Sequence, residues 1–151
     1  MKFYYTLFIV VVLLAVGCKN ETCAEEKGLT SMDEYLENNN LMPQNGEQGL
    51  RYIIVEPGGE EKPNLNSFVT IRYVGMQTND EIFDQSPGTD TRRFALRNLI
   101  RGWQLGVPLI GAGGRITLFL PSSLAYGPGG TGDICPNSEL IFDIELVSFN
   151  E

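Results

Sequence analysis

The side chains that most often act as nucleophiles and bases lack partners in this 151-residue sequence. The chain contains no histidine, which excludes Ser-His-Asp and Cys-His catalysis and most zinc and haem sites. Ser122 and Ser123 are adjacent, but the sequence supplies no base to activate either hydroxyl. Nucleophilic catalysis of the hydrolase kind is therefore not expected.

Two other motifs resemble ligand sites but have simpler explanations. The glycine-rich run 127–132 resembles a phosphate-binding loop, yet no Lys-Ser/Thr pair follows it, and Asp133 would repel a phosphate. Asp80, Glu81 and Asp84 could form a hydrolytic pair or a calcium site, but their spacing is not that of an EF-hand. They lie near a predicted hairpin turn, where solvated acids are usual.

Aromatic side chains occur through the rest of the chain, each on a different predicted strand, helix or loop. Aromatics ordinarily build a hydrophobic core, and that explanation would suffice for them alone. Two of them, however, carry hydroxyl groups, and Asp84 directly follows one of the phenylalanines. The residues concerned are Tyr73, Phe83, Trp103, Tyr126 and Phe142.

The elements that must position these residues follow from composition and periodicity. The chain has 42% hydrophobic residues, 17 glycines and 8 prolines, which indicates one globular domain of short strands and many turns. A net charge of −8 argues against a nucleic-acid partner, because such binding needs a basic surface. Strands are predicted where apolar residues alternate, near 52–55, 69–74, 81–84, 93–96, 116–120 and 140–147.

Within this strand-rich region a helix is predicted only at 99–105. The acids that alternate with apolar residues in the last strand indicate a sheet with one wet face and one covered face. The sequence therefore predicts an antiparallel sheet whose apolar side is covered by one short helix.

The first seventeen residues have the pattern of a secretion signal. Lys2 precedes an apolar run that is short for a membrane span. The run ends in Ala15-Val16-Gly17-Cys18, which resembles a bacterial lipoprotein signal whose cleavage leaves a lipidated Cys18. An ordinary signal peptide and a short uncleaved anchor are the alternatives. In each case the chain is expected to work outside the cytoplasm.

The organisation predicted for the remaining chain is a polar tether at 18–30, a short helix with its connection at 31–48, and one domain at 49–151. Ser31 and Glu34 match a capping box that would begin the helix. Cys23 and Cys135 remain after lipidation. They could form a disulfide in an oxidising compartment or remain two free thiols, because bridging depends on a distance that the sequence does not give.

Seven blocks of the sequence, in order, resemble the FKBP-type peptidyl-prolyl cis-trans isomerases. With the lipoprotein signal, the whole chain is similar to the lipid-anchored members of bacterial envelopes, including gliding-motility-associated ones. The resemblance implies an α+β fold, a twisted antiparallel five- to six-stranded sheet wrapped around one short helix. The blocks are 69–75, 83–86, 94–96, 99–103, 125–127, 134–137 and 140–146.

The resemblance also implies a pocket. Trp103 would be its floor, Tyr73, Phe83 and Phe142 its walls, and Asp84 a buried or half-buried acid beside Tyr73. The remaining implied residues are Tyr126, which offers a hydroxyl, Leu99 and Ile100 at the rim, where the Ile100 N–H would hold a substrate carbonyl, and Ile134 on the far side. Phe94 could belong to the pocket or to the core, and Arg92 and Arg93 are both candidates for the family's arginine beside the acid.

The implied activity is isomerisation of Xaa-Pro bonds, with no cofactor and no metal. The expected partners are proline-containing polypeptides of the cell envelope, on the periplasmic or outer-membrane face, and the membrane itself through Cys18; a monomer is expected. The alternative is a noncatalytic proline-binding chaperone or assembly factor. Asp133, Cys135 and a loop 127–133 one residue shorter than in many relatives depart from the family pattern and leave substrate preference open.

Overall fold

The computed structural model describes residues 22–151, so the predicted signal at 1–17 and the lipidation site Cys18 lie outside the described residues. Within 22–151 the secondary structure comprises three α-helices, five short 3-10 helices and seven strands. The α-helices are α1 (Cys23–Glu26), α2 (Met32–Asn38) and α3 (Arg101–Gly106). The strands are β1 (Gln44–Asn45), β2 (Arg51–Glu56), β3 (Phe68–Gln77), β4 (Ile82–Gln85), β5 (Arg92–Ala95), β6 (Gly114–Leu120) and β7 (Leu140–Asn150).

The strands of the described chain form one antiparallel sheet, which confirms the predicted fold class. Its order is β1-β2-β6-β7-β3-β4, and β5 pairs with the first half of β3 beside β4. The two longest strands, β3 and β7, pair along ten positions from Phe68 opposite Asn150 to Gln77 opposite Leu140. Each predicted strand is present, and β1 is an additional two-residue strand that carries no alternating pattern by which it could be predicted.

The main hydrophobic core lies between α3 and the inner face of the sheet. Alternation places Val69, Ile71 and Tyr73 of β3 on that face, and β7 contributes a matching row of buried residues. Two glycines of α3 allow it to lie close to β6, because a methyl group on Gly102 or Gly106 would overlap the side chains of Leu120 and Leu118. This close approach fixes the position of Trp103, which lies between the two glycines in sequence.

The outer face of the sheet is only partly wet, which corrects the prediction of one solvated face. Helix α2 packs Met32 and Leu36 against Phe119 and Ile141, and these four residues form a second buried cluster. The helix begins where predicted, since the Ser31 hydroxyl accepts a hydrogen bond from the Glu34 N–H at 3.2 Å. In the described part of the chain no helix is long and apolar enough to cross a membrane.

The predicted polar tether is attached to the domain over residues 22–30 rather than free of it. Thr22 caps α1, and Cys23 is joined to Cys135 by a disulfide with the two Cα atoms 5.7 Å apart. Thr30 and Thr78 exchange side chain–to–backbone hydrogen bonds in both directions. These contacts hold a polar segment against the domain without burying it, which is why its composition resembled that of a free linker.

Candidate functional site

A pocket of about 200 Å³ opens between α3 and the inner face of the sheet. The aromatic and aliphatic side chains come from five separate parts of the chain, and two charged residues stand among them. The pocket is lined by Tyr73, Asp84, Arg92, Phe94, Leu99, Ile100, Trp103, Tyr126 and Phe142. Seven of these nine residues are among the site residues predicted from the sequence.

Trp103 is the centre of the aromatic lining. Its ring meets those of Tyr73, Phe142 and Phe94 edge-to-face, with centroid separations of 5.2, 5.3 and 6.5 Å. Only 4% of the residue is exposed, so three neighbouring rings hold the indole in one orientation. Its buried Nε1–H has no hydrogen-bond partner among the described residues. The floor of the pocket is thus rigid and nearly apolar.

The hydroxyl of Tyr73 donates a hydrogen bond to Asp84 Oδ2 at 2.6 Å. Burial of the phenol, the hydrogen bond to Asp84 and the charge of that carboxylate raise the pKa of Tyr73 from 10.0 to about 12. Ser86 fixes the strand here, because its hydroxyl accepts from the Tyr73 N–H and its own N–H donates to the Tyr73 carbonyl. Tyr73 therefore remains a neutral donor at physiological pH.

Asp84 is more exposed than the resemblance implied. It was expected to be buried or half-buried, but the residue is exposed in the structure. It lies on β4, a four-residue strand at the edge of the sheet, so no further strand covers it. Its carboxylate nevertheless faces the pocket, where it pairs with Tyr73 and lies near Tyr126.

Leu99 and Ile100 lie at the pocket rim where the chain enters α3. The Gln104 side-chain amide holds this entry by donating to the carbonyl oxygens of Leu99 at 2.8 Å and Arg97 at 3.0 Å. Within residues 22–151 the backbone N–H of Ile100 donates no hydrogen bond. The resemblance did not include Gln104, and only its spacing from the helix start could have suggested its capping role.

Tyr126 stands at the mouth of the pocket and is 39% exposed. Partial burial, and secondarily the charge of Asp84, raise the pKa of its hydroxyl. Phe83 and Ile134 do not line the Trp103 pocket itself. They line a neighbouring hollow that shares Asp84 and Tyr126 with it, and Phe83 supports the pocket wall through an edge-to-face contact with Phe142 at 5.6 Å.

Arg92 and Phe94 are the pocket residues that the sequence left open. They are two positions apart on β5 and so share one face of the strand, which directs both toward the pocket. Arg93 points the other way and lies over the Phe68 ring with its guanidinium carbon 4.4 Å from the ring centroid. Side chains two positions apart on a strand share a face. The position of Phe94 could therefore have identified Arg92, rather than Arg93, as the pocket residue.

An aromatic pocket between one short helix and an antiparallel sheet is the arrangement of a known class of proteins. A family model described as "FKBP-type peptidyl-prolyl cis-trans isomerase" matches residues 59–147. The crystal structure of FkpA from Escherichia coli superposes with a TM-score of 0.73 at 36% identity, covering 83% of this chain and 59% of that one. A peptidyl-prolyl cis-trans isomerase from Pseudomonas syringae gives 0.71 at 32% identity, covering 83% of this chain and 96% of that one.

Relatives found by sequence agree with the structural match. FK506-binding protein 4 of Dictyostelium discoideum is 42% identical over 66% of this chain and 28% of its own length. The FKBP-type isomerase FkpA of Aeromonas hydrophila is 38% identical over 70% of this chain and 40% of its own length. The chain thus spans well under half of these curated relatives. It belongs to the FKBP-type peptidyl-prolyl cis-trans isomerase family.

Proposed function

We propose that this chain accelerates cis-trans isomerisation of Xaa-Pro bonds in exported proteins by holding the twisted imide in its aromatic pocket. The observation that carries the proposal is the Trp103 pocket, which combines rigid apolar walls with a few donors at its edge. Family membership supports the reaction type.

The physical argument needs neither a nucleophile nor a base. Rotation about a peptide bond crosses a barrier of about 18–20 kcal/mol, and unaided Xaa-Pro isomerisation takes tens to hundreds of seconds. Amide resonance is lost in the twisted transition state, so the carbonyl is less dipolar than in the planar ground state. An apolar pocket therefore disfavours the ground state more than the transition state, and only such differential binding accelerates a step.

Each part of the pocket has a role in this proposal. A prolyl ring would rest on Trp103 between Tyr73 and Phe142, while the Ile100 N–H would hold a substrate carbonyl. The Tyr126 hydroxyl at the mouth would donate to the twisted bond. Asp84 orients the Tyr73 hydroxyl and contributes negative charge; no proton transfer is assigned to it.

The experiment compares two buried phenylalanines of neighbouring strands. Phe142 lines the pocket, whereas Phe119 faces α2 on the opposite side of the sheet. We expect Phe142→Leu to lower kcat/KM for a Phe-Pro tetrapeptide about tenfold, equivalent to about 1.4 kcal/mol. Phe119→Leu should change it less than about twofold, although both replacements shrink a buried side chain and so lower stability.

The rate at which the tetrapeptide relaxes from cis to trans, measured together with its binding, also tests the alternative function. Wild type that binds the peptide without changing its relaxation rate would establish a noncatalytic proline-binding module. Wild type that neither binds nor accelerates would remove the proposal altogether. Equal losses in the Phe142→Leu and Phe119→Leu variants would show that the pocket is not where the reaction occurs.

We further propose that the chain acts at the bacterial cell envelope, lipid-anchored through Cys18 as in the gliding-motility-associated forms. The signal-like residues 1–17 support export, and the Cys23–Cys135 disulfide supports an oxidising compartment. Labelling with radioactive palmitate should mark wild type and leave Cys18→Ala unlabelled. Equal labelling of both, or none of wild type, would contradict the anchor.

A further inference from the structure

The loop that follows Tyr126 forms one side of the hollow next to the pocket. Ile134, Thr131, Gly132 and Asp133 line this hollow together with Phe83, Asp84 and Tyr126. We call residues 126–136 the rim loop. A polypeptide whose proline rests on Trp103 would place its flanking residues in this hollow, so the position of Ile134 bears on how well a substrate is held.

The rim loop is held mainly by short-range hydrogen bonds among residues 127–138. Thr131 and Ile134 exchange backbone hydrogen bonds, and the Gly130 N–H donates to the Gly127 carbonyl. Gly127, Gly130 and Gly132 have positive φ values, so the loop contains flexible positions that lose much entropy on ordering. In the described chain, residues 129–135 are reached from outside the loop by Lys27 Nζ, which donates to the Asp133 carbonyl at 2.5 Å. The Ser138 N–H and hydroxyl also reach them, both donating to the Cys135 carbonyl, at 3.2 and 2.8 Å.

A second segment, residues 22–30, crosses over to this loop, and we call it the strap. The strap bonds Cys23 to Cys135 and Lys27 to Asp133, and these two loop residues flank Ile134 on either side. Its other end is fixed to the turn between β3 and β4, where the Asn79 side chain donates to the Lys27 carbonyl at 2.8 Å. The strap lies outside residues 59–147 that the family model matches.

The disulfide is the strongest of these attachments. Helix α1 buries no side chain, and Lys27 meets Glu81 only at 3.9 Å, so the strap's other contacts are polar and close to solvent. Ile134 is itself buried in the main core. The strap adds a covalent bond to Cys135, which Ser138 also holds, and a hydrogen bond to the carbonyl of Asp133. Cys23 is exposed, which leaves the bond accessible to a soluble reductant.

We propose that Cys23 and Lys27 are positioning residues of the substrate site, acting through Cys135 and Asp133 to hold Ile134 and the rim loop against the pocket. This inference rests on the proposed function and deepens it. Within residues 22–151 the disulfide, the hydrogen bonds and the ion pair of the strap reach no residue that lines the Trp103 pocket. Opening it should therefore weaken binding of the residues that flank proline and leave the step over Trp103 unchanged.

The test compares oxidised and reduced wild type with Cys23→Ser, Lys27→Met and the control Glu26→Gln on the same helix. An added dithiol opens the bond: its two thiols supply two electrons, each cysteine sulfur leaves as a thiol, and the reagent closes to its own disulfide. Affinity for a blocked Phe-Pro tetrapeptide is read from the fluorescence of Trp103, the one tryptophan in the chain. KM, kcat and amide exchange of residues 131–134 are measured in parallel.

We expect reduction and Cys23→Ser each to raise KM and the peptide Kd about three- to tenfold with kcat within about twofold, the pattern of lost uniform binding. Amide exchange at 131–134 should become faster. Lys27→Met should give a smaller rise, Glu26→Gln none, and dithiol should have no further effect on Cys23→Ser.

Unchanged KM, Kd and exchange after opening the bond would overturn the inference. So would a fall in kcat accompanied by loss of circular dichroism signal, because the strap would then stabilise the whole fold rather than the rim. If oxidised wild type binds the peptide without isomerising it, the proposed catalysis fails while Kd and exchange still decide the role of the strap. If oxidised wild type does not bind the peptide at all, the proposed function fails. In that case, amide exchange at 131–134 that is unchanged by opening the disulfide would also overturn the positioning role of the strap.

Discussion

At the scale of single residues, two tyrosine hydroxyls stay neutral beside an aspartate, one of them in the pocket and one outside it. Tyr73 donates to Asp84 in the pocket, and Tyr35 donates to Asp80 at 3.0 Å on the outer side of the domain. Desolvation, the hydrogen bond and the neighbouring charge raise the pKa of both phenols from 10.0 to about 12. Ionising either one would place a phenolate beside a carboxylate.

These pKa values predict a loss of stability at alkaline pH. Each phenol is neutral in the native state up to about pH 12 but ionises near pH 10 when unfolded. The resulting stability is fully present below pH 10 and is lost as the pH rises from 10 toward 12. Urea unfolding across this range should show a shallower decline for Tyr73→Phe and for Tyr35→Phe than for wild type.

The two variants also serve as controls for each other. Both remove a tyrosine–aspartate hydrogen bond, but only Tyr73 lines the pocket, so kcat/KM should fall for Tyr73→Phe alone. A pH profile of unfolding that is identical in wild type and in both variants would refute the stated cause of the alkaline decline.

At the scale of elements, the position of α3 is set by how closely it approaches β6. A β-carbon on Gly106 would lie 2.5 Å from Leu118 Cδ2, and one on Gly102 would overlap Leu120. Such distances require the helix or the leucines to move. Because Trp103 is next to Gly102, any movement of the helix displaces the pocket floor.

Gly102→Ala should therefore reduce both stability and substrate affinity. Alanine favours a helix by about 1 kcal/mol over glycine, but overpacking a filled core typically costs about 1–3 kcal/mol, so the net effect should be destabilising. Urea unfolding measures the first effect and the peptide KM the second.

Gly59→Ala is the matched control for this prediction. A β-carbon there would meet only the Ala112 carbonyl at 3.7 Å, an ordinary contact, and neither residue lines the pocket. An increase in stability for Gly102→Ala would show that the helix moves away without cost, and would contradict close packing as the determinant of its position.

At the scale of the whole molecule, the N-terminal segment is part of the folded unit. From the disulfide at the rim loop the chain runs past the β3–β4 turn, and α2 then packs against the outer face of the sheet. Asp33 of α2 pairs with Arg51 of β2, and the Met32 N–H donates to Glu139 at 2.7 Å. One segment thus braces both faces of the domain.

Substitutions of two methionines test whether α2 stabilises the domain. Met32 is 1% exposed beneath α2, whereas Met42 is 93% exposed just beyond it. Met32→Ala should lower the free energy of unfolding by about 2–5 kcal/mol through lost burial and a cavity, and Met42→Ala should stay within about 0.5 kcal/mol. Equal midpoints in urea for both variants would mean that α2 does not stabilise the domain.

By itself the sequence determined the main strands, helices α2 and α3, and most members of the site, but not α1 or β1. Alternation of apolar residues over two positions is a local pattern, so β3, β6 and β7 could be assigned, as could α2 from its Ser31 cap and α3 from its short apolar run. The ordered motifs around Tyr73, Trp103 and Phe142 indicated the family, and the pocket contains these three residues together.

Only the tertiary structure decided how distant segments meet. Cys23 and Cys135 are 112 positions apart, and their pairing depends on where a polar segment lies relative to a glycine-rich loop, which no local pattern specifies. The same holds for the exposure of Asp84 on an edge strand, for Phe83 and Ile134 in the adjoining hollow, and for α2 on the outer face. Periodicity determines which face of its own element a side chain occupies; what lies opposite that face is set by sheet order and packing across the whole chain.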